Sequence, residues 1–246
     1  MLLVQELAAR AWPAAETLRV DGWLLRHTPS LTRRRSNSAL PLGDAGDGLS
    51  VVEDFYAGRG ARPRVQVSPA EERADLDAEL ARRGWSRDGP TDVLVAGVDA
   101  VLARTAPGEV ALAARADAAW VAAWAECEER PDADEHARVV LARIEPAAAY
   151  ARTADGLGVG IAVCERGWAG LFCVATAARA RRRGIAGHVV HGLARWAAGR
   201  GATDLYLQVE ADNAAAQALY IRTGFRRAYS YHYRVAPERG EGSRAP

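Results

Sequence analysis

The chain has 246 residues, a length that fits one large domain or two modest ones. Apolar residues make up 49% and charged residues 26%, which excludes wholesale disorder and leaves side chains enough for a core. Lys plus Arg is 32 against 31 for Asp plus Glu, a net charge of +1, too small to draw the chain to nucleic acid or an anionic membrane. Every one of these cations is an arginine, so a Schiff-base lysine, a P-loop lysine and a Ser-x-x-Lys hydrolase are all excluded.

The cysteines, Cys127, Cys164 and Cys173, are odd in number and show no C-x-x-C spacing. That argues against a disulfide scaffold or a structural zinc site and for a reducing compartment. The first residues carry neither a basic stretch nor a long apolar run, so the sequence reads as cytoplasmic, without a membrane span.

Periodicity and turn residues give the elements in chain order. Residues 4–11 form a short helix that Pro13 stops. Residues 22–26 and 35–40 are two strands of a hairpin. Residues 49–58 are a helix, 64–67 a strand, and 69–83 a helix that starts on Pro69 with Glu71 and Glu72 behind it. Residues 92–98 are a strand. The stretch 99–108 lacks periodicity and holds Pro107 and Gly108, which makes it a boundary. Beyond it, 117–128 and 134–144 are helices, and 148–152 and 159–165 a hairpin around a glycine-rich turn. Residues 169–174 are a strand, 184–198 a helix, 204–209 a strand, 213–222 a helix and 226–235 a final strand. The pattern predicts an α+β fold with mixed, mostly antiparallel sheets.

The chain also repeats itself. Ala57-Gly58-Arg59-Gly60-Ala61 recurs unchanged at Ala198 to Ala202, and Leu80 to Trp85 is answered by Leu219 to Phe225. Matches in the same order at nearly constant offset predict two lobes of one plan. The bounds are 1–105 for the first, 109–236 for the second and 237–246 for a flexible tail.

Two segments carry chemistry. After the strand that ends near Val174 comes an arginine-rich run, Arg179 to Arg183, and then Gly184-Ile185-Ala186-Gly187 opens a helix. A helix start has unpaired amides and partial positive charge, and small residues let an anion approach them. The second segment places Asn213 at the start of a helix and Tyr220 two turns further on, so both share one side of it. Taken alone, these two residues equally fit a cap and a packed ring.

Together the segments resemble a known family. Arg181-x-x-Gly184-x-Ala186 matches the Q/R-x-x-G-x-G/A signature of the GNAT N-acetyltransferase superfamily. Asn213-x-x-Ala216-x-x-Leu219-Tyr220-x-x-x-Gly224-Phe225 matches its C-terminal signature. The resemblance covers residues 109–235. More loosely, Trp12-Pro13, Asp21-Gly22-Trp23 and Arg35-Ser36-Asn37-Ser38 look like a two-lobed bacterial subgroup, part of which carries the description N-acetylglutamate synthase.

The resemblance implies tandem GNAT-like lobes and acetyl-CoA held where two parallel strands, 171–174 and 205–209, splay apart. Backbone near Val174 would pair with the pantetheine arm. Arg182, Arg183, Gly184, Ala186 and Gly187 would hold the diphosphate, Asn213 the coenzyme arm, and Tyr220 would protonate the leaving thiolate. The acceptor would be a primary amine of a small molecule or amino acid, glutamate among them, attacking the thioester directly without a metal. Many relatives carry a base on the strand that here reads Leu171-Phe172-Cys173-Val174, which has no Glu. Glu210 is then favoured over Glu165 or a water relay. The first lobe has Asp44 where the arginine run would be, so it is expected to be degenerate and to wall the acceptor pocket, with Arg35 and Asn37 facing substrate or simply exposed. The chain is expected to be a monomer or homodimer. An acyl-CoA-binding sensor and a protein N-terminal acetyltransferase are the alternatives.

Overall fold

The computed structural model describes residues 2–42, 48–129 and 131–238. Helix α1 (Leu2–Ala11) leads into strands β1 (Glu16–Val20), β2 (Trp23–His27) and β3 (Ala39–Pro41). Helix α2 (Leu49–Ala57), strand β4 (Arg64–Val67), helix α3 (Ala74–Arg82) and strand β5 (Ser86–Gly97) complete the first half. Helix α4 (Val98–Leu102) and strand β6 (Val110–Ala113) open the second half, followed by helices α5 (Ala118–Cys127) and α6 (Ala133–Val139). Strands β7 (Ala147–Thr153), β8 (Gly158–Glu165) and β9 (Trp168–Thr176) form a meander. Helix α7 (Ile185–Ala198), strand β10 (Asp204–Glu210), helix α8 (Ala214–Arg222) and strand β11 (Arg226–Val235) end the fold.

All eleven strands lie in one sheet, in the order β1-β2-β3-β4-β11-β5-β10-β9-β8-β7-β6. Among the described residues only β3/β4 and β9/β10 are parallel pairs. The run β4–α3–β5 recurs as β10–α8–β11, the structural counterpart of the sequence repeat. The last strands are exchanged between halves: β5 pairs with β10, and β11 pairs with β4, while β5 and β11 pair with each other. The two expected lobes are therefore joined through one continuous sheet. The connection expected at 99–108 is not structureless, since Val98, Val101 and Leu102 turn it into α4 and pack it beneath α7.

Strand alternation sorts the core onto two faces. Ile161, Phe172 and Tyr206 face α1 and α5, whereas Ala162, Leu171 and Leu207 face α7. Gly160 lets α7 come close, because a Cβ there would lie 2.8 Å from Val189 and 3.0 Å from Leu193. Asp117 caps α5 by accepting from the Trp120 amide at 2.7 Å, and Trp120 Nε1 donates to the Ala151 carbonyl at 2.8 Å. Trp120 and Trp124 are core residues, while Trp196 is only partly buried. His188 and His191 both lie on α7. Both are half-buried under the 104–110 connector, where Thr105 Oγ1 lies 3.0 Å from His191 Nδ1. Residue Asp44 and the tail from 239 onward lie outside the described residues. No described helix is long and apolar enough to cross a membrane.

The exchanged strand β11 is pinned to the first half by Asp77 of α3. Arg234 donates from Nε at 2.7 Å and from its terminal nitrogen at 3.0 Å, and His232 Nε2 lies 2.6 Å away. Hydrogen bonding from Arg234 holds the Asp77 carboxyl down to about 2, against burial, with His232 adding to the effect. A lowered carboxylate contributes its full stabilisation above its ordinary value of 3.8 and loses it as pH falls through about 2. Asp77→Asn is expected to cost about 2 kcal/mol at pH 7, and the difference from the parent should shrink between about pH 4 and pH 2. Urea unfolding across that range measures it, and a pH-independent difference would contradict the linkage.

Candidate active site

The parallel pair β9/β10 stays in register from Trp168↔Asp204 only as far as Leu171↔Leu207. Both strands then continue unpaired with each other, β9 to Thr176 and β10 to Glu210. The cause is a bulge. On β8, Val159 pairs with Ala175 and Ile161 with Phe172, so Cys173 and Val174 together oppose Gly160. Cys173 takes a φ of 50°, unusual for a residue with a Cβ. The extra residue bends β9 away from its neighbour and opens a gap with backbone groups of 172–176 facing it.

The gap belongs to a cavity of about 880 Å³ that lies where the two halves meet. The second half contributes Phe172, Cys173, Val174, Gln208, Glu210, Asn213, Tyr220 and Glu128, and the first half contributes Trp12, Arg33, Arg34, Arg35 and Arg64. Strand β11 adds Tyr231 and Tyr233, whose alternation on the strand puts both phenols on one face.

The predicted residues divide into three groups. Val174, Glu210, Asn213, Tyr220 and Arg35 all line the cavity. Arg182, Arg183, Gly184, Ala186 and Gly187 stand apart from it, in the turn and first residues of α7 that follow β9. Asn37 does not face the cavity. Its amide donates to the carbonyls of Leu31 and Arg33 at 2.7 and 3.2 Å, and its oxygen accepts from the Thr28 amide at 2.8 Å. It organises the loop that presents Arg33, Arg34 and Arg35 rather than touching what that loop meets.

At α7 the first helical hydrogen bond is donated by the His188 amide to the Gly184 carbonyl at 3.2 Å. The amides ahead of it have no helical acceptor. Arg182 and Gly184 are both left-handed, with φ of 67° and 82°, a turn that makes successive amides converge. A Cβ added at Gly184 or Gly187 would meet nothing within 4 Å, so the space over this helix start is open to an anion. Arg179 is ion-paired with Glu126 of α5, which ties the arginine run to the second half.

Asn213 caps α8, its Oδ1 accepting from the Ala216 amide at 3.0 Å, and at the same time borders the cavity. Tyr220 is 7% exposed and packs edge-on against Phe225 at 5.7 Å. Burial raises its phenol far above the ordinary range, with Cys173 and Glu128 adding to the effect, so it stays protonated and able to donate. Glu210 is 59% exposed and bound to Arg34 at 3.0 Å, while the same Arg34 reaches Asp88 at 2.8 Å. Its carboxylate thus also links the halves. Burial pushes the Cys173 thiol well up, which keeps it from acting as a thiolate nucleophile.

Glu128 was not visible from the sequence. It ends α5 with no motif around it, yet it lines the cavity, and burial raises its carboxyl while a hydrogen bond from Trp124 pulls the other way. Tyr231 and Tyr233 carried a signal, the alternation of phenols along the last strand. Among the described residues no three His, Cys, Asp or Glu side chains gather into a metal site.

Comparison with known proteins identifies the family. The family model described as "Probable histone acetyltransferase Rv0428c C-terminal" matches residues 3–234. The chain is 30% identical to "Probable histone acetyltransferase Rv0428c" of Mycobacterium tuberculosis, covering 97% of this chain and 74% of that protein. It is 26% identical to "Uncharacterized N-acetyltransferase YobR" of Bacillus subtilis, covering 94% and 97%. A GCN5-related N-acetyltransferase from Kribbella flavida shares the fold with a TM-score of 0.65 at 16% identity, over 96% of this chain and 93% of that one. A tandem GNAT protein from the clavulanic acid biosynthesis pathway shares it at 0.58 and 14% identity, over 87% and 73%. The chain therefore belongs to the Rv0428c C-terminal family of the GNAT N-acetyltransferase superfamily.

Proposed function

We propose that this chain moves the acetyl group of acetyl-CoA to the primary amine of a small acceptor in a ternary complex. The observation that supports this most is the splayed β9/β10 pair, which leads on one side to the open helix start of α7 and on the other to Tyr220. In this reading the pantetheine arm adds as a strand along the free edge of β9 near Val174. The diphosphate meets the amides of Arg182 to Gly187, with the arginine side chains at the rim. Asn213 borders the arm.

The amine nitrogen attacks the thioester carbon, the C–S bond breaks, and the sulfur takes its proton from the Tyr220 phenol. The tyrosine recovers a proton from the nitrogen as it becomes an amide. The ammonium form of the acceptor must first lose one proton to a base; Glu210 stands near enough to the cavity to serve, although Arg34 holds it. Positioning and proton transfer supply the rate. We further propose that the first half, 1–105, has lost coenzyme binding and serves as the acceptor wall of the second, 109–236, in a cytoplasmic monomer or homodimer.

The test is binding of CoA to the purified chain, with a structure of the complex. The phosphates should lie at the start of α7. Gly184→Val, which puts a branched side chain at φ 82°, is expected to weaken CoA binding at least about tenfold and to cost about 1–3 kcal/mol of stability through backbone strain, with binding compared well below the melting transition. Phosphates elsewhere, or unchanged affinity, would overturn the assignment. A chain that binds acetyl-CoA but releases no CoA with any amine would be a sensor.

A further inference from the structure

The cavity has two unlike walls. The loop ordered by Asn37 supplies Arg33, Arg34 and Arg35, and Arg64 stands beside them at the start of β4. The end of α5 and the turn after it supply Glu128, Glu129 and Asp132, and Arg33 is near enough to Glu128 to favour its charged form. The arginines are not alike. Arg34 is committed to Asp88 and Glu210. Arg35 lies over the rings of Trp12 and Phe172, 5.9 and 5.6 Å from their centres, and donates to Tyr231. Among the described residues its charge is met by rings and phenols and by no carboxylate. Arg64 donates to the Asn37 carbonyl at 3.3 Å, and its buried Nε has no acceptor. A buried orphan donor is costly unless something accepts from it. Behind them Arg26 is 2% exposed and held only by neutral acceptors, Ser38 and Gln66.

Arg35 and Arg64, set in the interior with no carboxylate hydrogen-bonded to them among the described residues, are costly unless an anion joins them. The guanidinium fork matches a carboxylate, and the aromatic shelf under Arg35 fixes the fork's orientation. Glu128 lines the same cavity as Cys173 and Tyr220. That is where the acceptor nitrogen must stand. Resting on the transfer reading above, we infer that the acceptor is a free amino acid or similar short carboxylate-bearing amine, its carboxylate held by Arg35 with Arg64 beside it, and its ammonium directed to Glu128. Glu128, in place of the Arg34-bound Glu210, takes the proton that frees the nitrogen lone pair and passes it to water. Tyr220 supplies the proton to the departing sulfur. A lysine in a basic protein tail would instead bring cations to the arginine wall.

The experiment compares free α-amino acids with their α-amides, matched side chain for side chain, following CoA release by the full chain. A basic histone-tail peptide is included. The acid form should exceed its amide at least about tenfold in kcat/KM. In Arg35→Gln this ratio should fall to near one, with the KM for acetyl-CoA within about twofold of the parent. Glu128→Gln should lower kcat and remove the acidic limb of its pH profile without changing the acid-to-amide ratio. Amides or the peptide turning over as well as the acids would overturn the inference, as would Arg35→Gln lowering both forms alike. If no amine reacts, calorimetry of the CoA-loaded chain with the same pairs decides. Binding of the acids alone, lost in Arg35→Gln, upholds the carboxylate site while removing the transfer reading, and equal or absent binding of both forms overturns the site. Failure to bind CoA counts against the transfer reading alone.

Discussion

Tyr220→Phe is expected to lower kcat about 10²-fold, some 2.7 kcal/mol of barrier, with little change in the KM for acetyl-CoA. The substitution removes one hydroxyl and nothing else. The ring still packs against Phe225 at 5.7 Å, so the fold and the coenzyme cleft should persist. Burial keeps the phenol protonated, and its place on the cavity wall beside Cys173 leaves it free to donate to the sulfur. An effect on kcat without one on KM marks an interaction made only in the transition state. Steady-state kinetics at saturating acceptor is the measurement. Undiminished turnover would remove Tyr220 from the reaction and leave it as a packed ring.

Gly170→Val is expected to destabilise the chain by about 3 kcal/mol and to raise the KM for the acceptor. Trp168, Gly170 and Phe172 share one face of β9, and the ring of Tyr206 lies across the space that Gly170 leaves. A Cβ at 170 would sit 2.5 Å from the Tyr206 Cζ and Oη and 2.7 Å from Phe172 Cε2. These are stiff rings in a packed interior; Tyr206 is 1% exposed. They cannot yield as a flexible chain end would. Phe172 in turn stacks on Trp12 at 6.0 Å and carries Arg35, so a shift here tilts the shelf on which the guanidinium rests. Urea unfolding reads the first effect and acceptor titration the second. A variant within about 0.5 kcal/mol of the parent would show that the rings are free to move.

Local signals carried much of this architecture. Helices α7 and α8 and strands β10 and β11 were legible because capping residues, small residues and apolar spacing agreed within each segment. Strands β1 and β6 were not, because they are largely exposed, with Leu18 and Leu112 pointing outward, and an exposed strand shows no alternation. Helix α4 was missed because five residues are too few to establish a period. The place of β11 between β4 and β5 could not be read at all, since pairing between distant strands leaves no local mark. In the cavity, Asn213 and Tyr220 were placed on one side of a helix by their spacing, and the resemblance to the GNAT signature gave them a role. The bulge at Cys173 was hidden, because a left-handed residue other than glycine has no signature. Glu128 was hidden as well, because its environment is made by segments remote in sequence. Arg35 and Asn37 were noticed together, and only the structure separates the one that borders the cavity from the one that shapes its loop.

The exchange of β5 and β11 sets a limit on how far the two halves can drift apart. A first half without coenzyme chemistry could decay freely if it were merely attached. Here it owns the strand that seals β10, the very strand that flanks the coenzyme gap. A fragment starting after α4 would expose the amide edge of β10 along its whole length, an invitation to self-association. On the proposed reading the first half can surrender its ligand but not its final strand, because β5 is hostage to the second half as β11 is hostage to the first.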